Sequence, residues 1–270
     1  MSYYFLRFFV CFTFGIISAY STYSQDIKPK QLFKKVDAAL NNIETLVYKI
    51  DRKDKYFTSK PTDTTRRVAL CSLYLAPEDK LKAYHILDIK SSENNYSHYK
   101  YDGKYISAIF YKKDSLDIVK KVFTDDVVKT NYGSVGGYDF ILRTYFENKK
   151  AFQQYNSLYA KLFFLSKTEI TEGEFMGVPV YILTFYSKNL ENRRNSIDST
   201  IVTHYIRKSD FLPIGYKAIS KLENMVEYEY YEIDYLEINP KLSLDLFQVD
   251  VNLTEIKPKV FYDRLQKHKL

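Results

Sequence analysis

Hydrophobic and polar residues alternate with a period of two along much of this chain, and a long alternating run lies at 225–236. One side of the run carries Val226, Tyr228 and Tyr230, and the other carries Glu227 and Glu229. The apolar side then shifts by one residue and continues through Tyr231, Ile233 and Tyr235. This alternation is typical of a strand with one face on a core, and the phase shift predicts a β-bulge near Tyr230 and Tyr231.

Two segments have helical rather than strand periodicity. Pro29–Leu46 is predicted to be an amphipathic helix, because apolar residues recur three to four positions apart and Pro29 suits a first helical turn. Tyr138–Phe164 is predicted to be a second helical region with a partial apolar face. These segments separate two groups of strand-like runs, so the expected order is helix, strands, helix, strands.

The remaining strand-like runs complete the predicted sheet. Residues 68–75 are apolar at both alternating positions, which favours a strand covered on both faces. The run at 96–111 contains Asp102-Gly103, a strong signal for a hairpin turn. The predicted class is mainly β with helices (α+β), as one curved antiparallel sheet with helices across its concave side.

Several motifs resemble the outer-membrane lipoprotein carrier superfamily (LolA/LolB-like domains). They are DFLP at 210–213 followed by a strand, EYEYYEIDYLEIN at 227–239, LSLDLFQV at 242–249, GEFMGVPVYILTFY at 173–186 and YKYDGKYISAIFYKKD at 99–114. Each motif alone has low specificity, and their order and spacing carry the resemblance. It implies an incomplete β-barrel capped by helices, formed by 26–250 and followed by a C-terminal tail at 251–270.

Residues 1–25 are typical of a secretory signal peptide. Arg7 supplies the positive charge, and the apolar run Phe8–Ala19 is shorter than the roughly 20 residues that a membrane-spanning helix needs. An uncleaved anchor is the alternative. Cys11 lies inside the apolar run and not after it, so no lipid anchor is expected, unlike in LolB-like proteins. The expected location is the periplasm of a Gram-negative-type bacterium, in a soluble or peripherally membrane-associated form.

Composition narrows the possible partners. The chain has 270 residues, 46% of them hydrophobic and 17% aromatic, and a formal net charge of +7. The basic residues are dispersed, so we expect no nucleic-acid partner, whereas transient contact with an anionic membrane surface is compatible with the charge. Cys71 is predicted to be a small core residue of a strand. The protein is expected to be a monomer.

The residue types needed for catalysis do not occur at the required spacings. The four histidines, His85, His98, His204 and His268, show no paired metal-ligand spacing, and no nucleophile motif or phosphate loop is present. Glu227 and Glu229 are predicted to lie on a solvated strand face and not to form an acid–base pair. We therefore expect no catalytic residue, metal or cofactor, and no enzymatic activity.

The first functional hypothesis is a periplasmic carrier or chaperone that binds lipoprotein acyl chains or another apolar ligand. Its cavity is predicted to be lined by Ile106, Phe110, Leu183, Phe185, Tyr228 and Tyr230. The alternative for these residues is that they pack against the helices and leave no cavity. The alternative function is a protein-interaction module of the cell envelope that has a protein partner and no lipid ligand.

Overall fold

The computed structural model describes residues 27–58, 60, 63–92, 95–112, 115–129, 140–146, 150–153, 165–188 and 197–267. The strands are β1 Thr45–Lys55, β2 Thr65–Leu75, β3 Ala83–Ser92, β4 Asn95–Tyr101, β5 Tyr105–Lys112, β6 Ser115–Phe123, β7 Leu165–Phe175, β8 Val178–Lys188, β9 Ser199–Arg207, β10 Pro213–Leu222, β11 Met225–Ile238 and β12 Thr254–Glu255. The α-helices are α1 Pro29–Asn41, α2 Thr124–Lys129, α3 Arg143–Phe146 and α4 Pro258–Lys267, and a 3-10 helix spans Leu244–Phe247. The predicted signal peptide lies outside the described residues.

The described strands form one curved, unclosed sheet in the order β12-β6-β5-β4-β3-β2-β1-β11-β10-β9-β8-β7. All neighbours are antiparallel except β12 and β6, which are parallel over two residues. The first long strand, β1, pairs with β11 and so joins the two strand groups at the centre of the sheet. This arrangement confirms the predicted fold class, an incomplete barrel of mainly antiparallel strands with a few helices.

The two faces of the sheet differ in what covers them. We call inner the face that carries Ile50, Cys71 and Ile233, which belong to one buried hydrophobic cluster together with side chains of α1 and α4. The opposite face is called outer. Cys71 is fully buried, as predicted for a core residue. β2, by contrast, is not covered on both faces, because Leu70 on its outer face remains 45% exposed.

The bulge predicted near Tyr230 and Tyr231 is not present. β10 and β11 pair without a register shift from Gly215 opposite Glu232 to Leu222 opposite Met225. The irregularity in β11 lies further along, where its pairing with β1 shifts between Val47 and Tyr48. The odd-numbered residues of β11 therefore keep the inner face from Glu227 to Tyr235, because each pairs with an inner-face residue of β1 or β10.

α1 is shorter than predicted and ends before the first strand begins. Pro29 occupies its first turn, and the backbone N–H of Lys28 donates to the Gln31 side chain, which satisfies one group at the helix start. The apolar stripe of α1 is buried and consists of Leu32, Phe33, Val36 and Leu40. Thr45 and Leu46, the last residues of the predicted helix, belong instead to β1.

The Asp102-Gly103 turn forms as predicted between β4 and β5. Gly103 has a φ of 90°, a conformation that is strained for residues with a side chain. The Asp102 carboxylate accepts hydrogen bonds from the backbone N–H groups of Lys104 (2.8 Å) and Tyr105 (2.7 Å). Local side-chain bonds of this kind stabilise a turn without help from the rest of the fold.

Within the C-terminal segment 251–270, predicted to be a tail, the described residues 251–267 include side chains that pack on the same core as the sheet. This part of the chain forms a helix, α4. Phe261 and Leu265 on that helix are buried in the hydrophobic cluster. Of the predicted helical region 138–164, the described parts are 140–146, which contains α3, and 150–153, where 151–153 are helical.

Candidate functional site

The structure separates the six residues predicted to line a cavity. Ile106 and Phe110 on β5 and Leu183 and Phe185 on β8 are buried within the inner-face cluster. Tyr228 and Tyr230 lie on the outer face of β11, because they pair with Ile219 and Lys217 and not with the inner-face residues of β10. The phase shift expected between Tyr230 and Tyr231 is absent, so these two tyrosines do not share a face with the other four residues.

Helical segments lie over the inner face of the sheet. We call them the cover, and they comprise α1, residues 140–146 with α3, and residues 150–153. Phe33 of α1 stacks on Phe185 of β8 with ring centroids 6.0 Å apart. Tyr145 of α3 and Phe152 stack on each other at 5.7 Å. Both of the latter rings also contact His204 of β9 edge-on. The cover is thus held to the sheet mainly by aromatic contacts, which are individually modest and not covalent.

His204 is the centre of this aromatic contact. Its ring is fully buried and is surrounded by four aromatic rings, those of Tyr145, Phe152, Phe185 and Tyr216. Its Nδ1 lies 3.2 Å from the Tyr145 hydroxyl, within hydrogen-bonding distance. Burial lowers the pKa of His204 to about 3, because the imidazolium form would lose its hydration there. The imidazole is therefore neutral at physiological pH.

Asp37 connects the two parts of the cover. Its buried carboxylate on α1 accepts hydrogen bonds from the backbone N–H groups of Phe152 (2.8 Å) and Gln153 (3.1 Å), and from the Gln153 side chain (2.9 Å). The Tyr48 hydroxyl of β1 donates to the carbonyl oxygen of Phe140. The bonds of Asp37 thus join α1 to residues 152–153 within the cover, and the bond of Tyr48 joins the cover to the sheet.

A cavity of about 260 Å³ opens on the inner face beside this cover, toward the ends of β1, β10 and β11. Its lining consists of Arg52, Asp54, Lys55, Tyr56, Ile197, Thr200, Val202, Tyr216, Ala218, Ser220, Glu227, Tyr228 and Glu229. Val202, Tyr216 and Ala218 are next to the aromatic core, whereas the charged residues lie farther along the strands. The cavity is therefore apolar toward the cover and polar toward the strand ends.

A network of buried charges forms the polar wall. Arg52 donates through Nε to Asp54 at 2.8 Å and through a terminal nitrogen to Glu229 at 3.0 Å. Arg67 of β2 also binds Asp54, at 2.8 Å, and its guanidinium lies over the Phe140 ring of the cover at 5.1 Å. The Asp54 side chain is only 3% exposed and those of Arg52 and Arg67 are mostly buried, so these three charges are largely desolvated and depend on one another, whereas Glu229 is 34% exposed.

Glu227 and two hydroxyl groups line the part of the cavity near the strand ends, still on the inner face. Thr200 and Ser220 lie opposite each other on β9 and β10, with their hydroxyl oxygens 3.1 Å apart. Ser220 in turn pairs with Glu227 across β10 and β11. Among the described residues, Glu227 has no ion-pair partner.

Sequence reasoning missed this polar wall. It assigned Glu227 and Glu229 to a solvated face, but both lie on the inner face. The phase of β1 contained the missing signal, because Arg52 and Asp54 continue the even-numbered inner positions that Tyr48 and Ile50 begin. When charged residues continue the same alternating positions as the buried apolar residues of a strand, the charges are expected to be buried too.

Neither a metal centre nor a membrane-crossing helix is found where the structure is described. No group of three or more His, Cys, Asp or Glu side chains within those ranges could hold a metal ion. None of the helices described there combines the length and apolar character required to cross a bilayer. His85 is fully buried against Tyr101, and its Nδ1 lies 3.1 Å from the carbonyl oxygen of Ala83.

No protein-family model matches the sequence, and no curated protein sequence matches it either. Among solved structures, the fold is similar to a DUF1329 family protein from Desulfovibrio piger (9% identity, TM-score 0.33, covering 82% of this chain and 98% of that one). It is also similar to the lipoprotein LppX from Mycobacterium tuberculosis (8% identity, TM-score 0.36, 81% and 100%). A LolA superfamily protein from Nitrosomonas europaea is a third (10% identity, TM-score 0.25, 83% and 99%). Because all three scores are below 0.5, we draw no functional conclusion from them.

Proposed function

We propose that this chain is an exported, non-catalytic carrier that binds an apolar ligand, such as an acyl chain, between the inner face of its sheet and the helical cover. The observation that carries the proposal is the aromatic contact between cover and sheet next to an open cavity. Phe33, Tyr145 and Phe152 on the cover meet Phe185 and His204 on the sheet. Because burial of apolar surface is non-directional, an apolar chain can take the place of the cover side chains on the sheet.

Cavity volume determines how a ligand would enter. The cavity holds about 260 Å³, less than the roughly 300 to 1,000 Å³ typical of sites for drug-sized ligands. It can take the end of an amphiphile but not a long acyl chain. A long chain would instead replace the cover side chains on Phe185 and His204, so the cover must move away from the sheet during loading.

Binding energy is sufficient for such a replacement. Burial of a C16 chain yields about 12 kcal/mol at about 0.8 kcal/mol per methylene, before the costs of association. Part of this energy offsets the lost contacts of the cover with the sheet. The remaining affinity is then moderate, which suits a carrier that has to release its ligand.

Native mass spectrometry of protein purified without detergent tests the proposal. We expect a co-purifying amphiphile, and, after its removal, binding of the neutral fluorophore N-phenyl-1-naphthylamine and its displacement by dodecyl maltoside below the critical micelle concentration. Ala218→Phe would fill part of the cavity and weaken binding, whereas Ile219→Phe on the outer face of the same strand would leave it unchanged. Absence of any bound amphiphile and of fluorophore binding would contradict the proposal.

A specific observation keeps the interaction module as a second candidate. Four aromatic side chains cluster on the outer face: Phe175, Tyr205, Tyr228 and Tyr230. Aromatic residues are enriched in protein interfaces. Co-purification of one envelope protein in a stoichiometric complex that Tyr230→Asp disrupts, with no bound amphiphile, would favour this candidate over the carrier.

A further inference from the structure

Resting on the proposed carrier function, we infer that the polar wall of the cavity selects an amphiphile with a positively charged ammonium head group. The inference concerns the Arg52, Asp54, Glu227 and Glu229 side chains and the tyrosines that share the cavity with them. It assigns the head of the ligand to the strand-end part of the cavity and the tail to the region under the cover.

The carboxylates of the cavity differ in their ion pairing. Asp54, Glu227 and Glu229 line it together with Arg52 and Lys55, and a third cation, Arg67, binds Asp54. Arg52 is bound to both Asp54 and Glu229, so it presents little free positive charge to a ligand. Lys55 belongs to the outer-face positions of β1 and pairs with Tyr228 at the rim. Glu227 remains as a carboxylate without an ion-pair partner among the described residues.

The uncharged lining also suits an ammonium group. Tyr216 lies on the inner face, and Tyr56 and Tyr228 border the cavity at the strand ends. Aromatic rings attract cations through their negatively charged faces, and ammonium ligands are often bound by such rings together with a carboxylate. The hydroxyl oxygens of Thr200 and Ser220 add negative partial charge next to Glu227, which favours a cationic head group whether or not it carries N–H groups.

An anionic head group fits the same cavity less well. A sulfate or carboxylate head next to Glu227 would meet a like charge on the inner face, whereas Lys55, the cation at the rim, belongs to the outer-face positions of β1. It would have to recruit Arg52, which is already engaged by two carboxylates. Release of Arg52 would leave Asp54 with Arg67 alone in a buried position, which is unfavourable.

Head-group selectivity is measurable with amphiphiles of equal tail length. Dodecyltrimethylammonium, dodecyl maltoside and dodecyl sulfate, each below its critical micelle concentration, are titrated against the purified full chain with bound N-phenyl-1-naphthylamine. We expect dodecyltrimethylammonium to bind most tightly and dodecyl sulfate least. Glu227→Gln should lower the affinity for dodecyltrimethylammonium about fivefold, because it removes one partly exposed charge pair. The affinity for dodecyl maltoside should not change.

The control is Glu232→Gln, which alters a carboxylate on the outer face of the same strand and should leave all three affinities unchanged. Equal affinity for the three heads, or preference for dodecyl sulfate, would overturn the head-group inference and leave the carrier function intact. Failure of all three amphiphiles to bind would overturn both. Because the ranking is measured on the unaltered protein, it decides the inference even if a variant does not fold.

Discussion

The carboxylate of Asp37 on α1 accepts a 2.8 Å hydrogen bond from the backbone N–H of Phe152, a residue of the second helical region. Asp37 is buried at 3% exposure, so this bond and those from Gln153 replace hydration that the carboxylate has lost. One side chain therefore joins two segments of the cover that are more than one hundred residues apart.

Asp37→Ala should destabilise the protein by about 1 to 3 kcal/mol, because it leaves buried N–H groups of the second segment without an acceptor. Urea denaturation measures the change. Lys34→Ala, at an exposed position of the same helix, is the control and should change stability by less than about 0.5 kcal/mol. Equal effects of the two variants would show that Asp37 does not hold the cover together.

The two ion pairs between β1 and β2 should differ in their effect on stability. Asp54 binds Arg67 and Arg52 on the inner face, whereas Asp51 binds Arg66, whose side chain is 63% exposed, on the outer face. Asp54→Ala should cost about 3 kcal/mol or more, since it leaves buried guanidinium groups without their carboxylate. Asp51→Ala should cost less than about 1 kcal/mol.

Chemical denaturation of both variants at two salt concentrations measures this contrast. The small effect at Asp51 should shrink further at high salt, because exposed charges are screened. A loss at Asp54 as small as that at Asp51 would indicate that water reaches the inner network.

Stability should fall as the pH falls below about 6.5. Burial lowers the pKa of His85 to about 4 and that of His204 to about 3, so the unfolded chain binds more protons than the folded one below the usual histidine pKa. The stabilisation is complete above about pH 6.5 and is lost as the pH falls toward the folded values. Between pH 6.5 and 5 the two residues together should remove about 3 kcal/mol.

Urea denaturation across this pH range gives the slope. His204→Phe and His85→Phe should each reduce it by about half, whatever their effect on stability at pH 8. A slope that both variants leave unchanged would attribute the pH dependence to other groups.

Gly215→Ala should destabilise the folded protein, because the new methyl group would clash with side chains on the outer face of the sheet. A Cβ atom at this position would lie 2.5 Å from the Phe175 ring and 3.1 Å from the Tyr205 ring, so Phe175 would have to move from its 4.0 Å stacking contact with Tyr205. Such overpacking costs about 1 to 3 kcal/mol. Thermal or urea denaturation measures the loss.

The same Gly215→Ala substitution made in a Phe175→Ala variant is the control for this prediction. With the ring removed, Gly215→Ala should cost much less, and the difference is the coupling between the two positions in a double-mutant cycle. An additive result would show that the space above Gly215 is not set by Phe175.

Local patterns in the sequence determined the parts of the fold that depend on neighbouring residues. The Asp102-Gly103 turn, the start of α1 at Pro29 and the burial of Cys71 all follow from spacing, turn chemistry and strand periodicity. The same reasoning gave the mainly antiparallel class, because alternation records which residues face a core.

Only the tertiary structure decided the pairing of β1 with β11 and the contents of the cavity. Glu227 and Glu229 have the same local pattern whether their face meets water or Arg52, and the partner comes from a strand about 175 residues away. The bulge expected from the sequence would put Tyr228 and Tyr230 on the inner face, but β11 pairs with β10 without a register shift, so both lie on the outer face. Periodicity defines two faces of a strand, but only long-range packing determines which of them is covered.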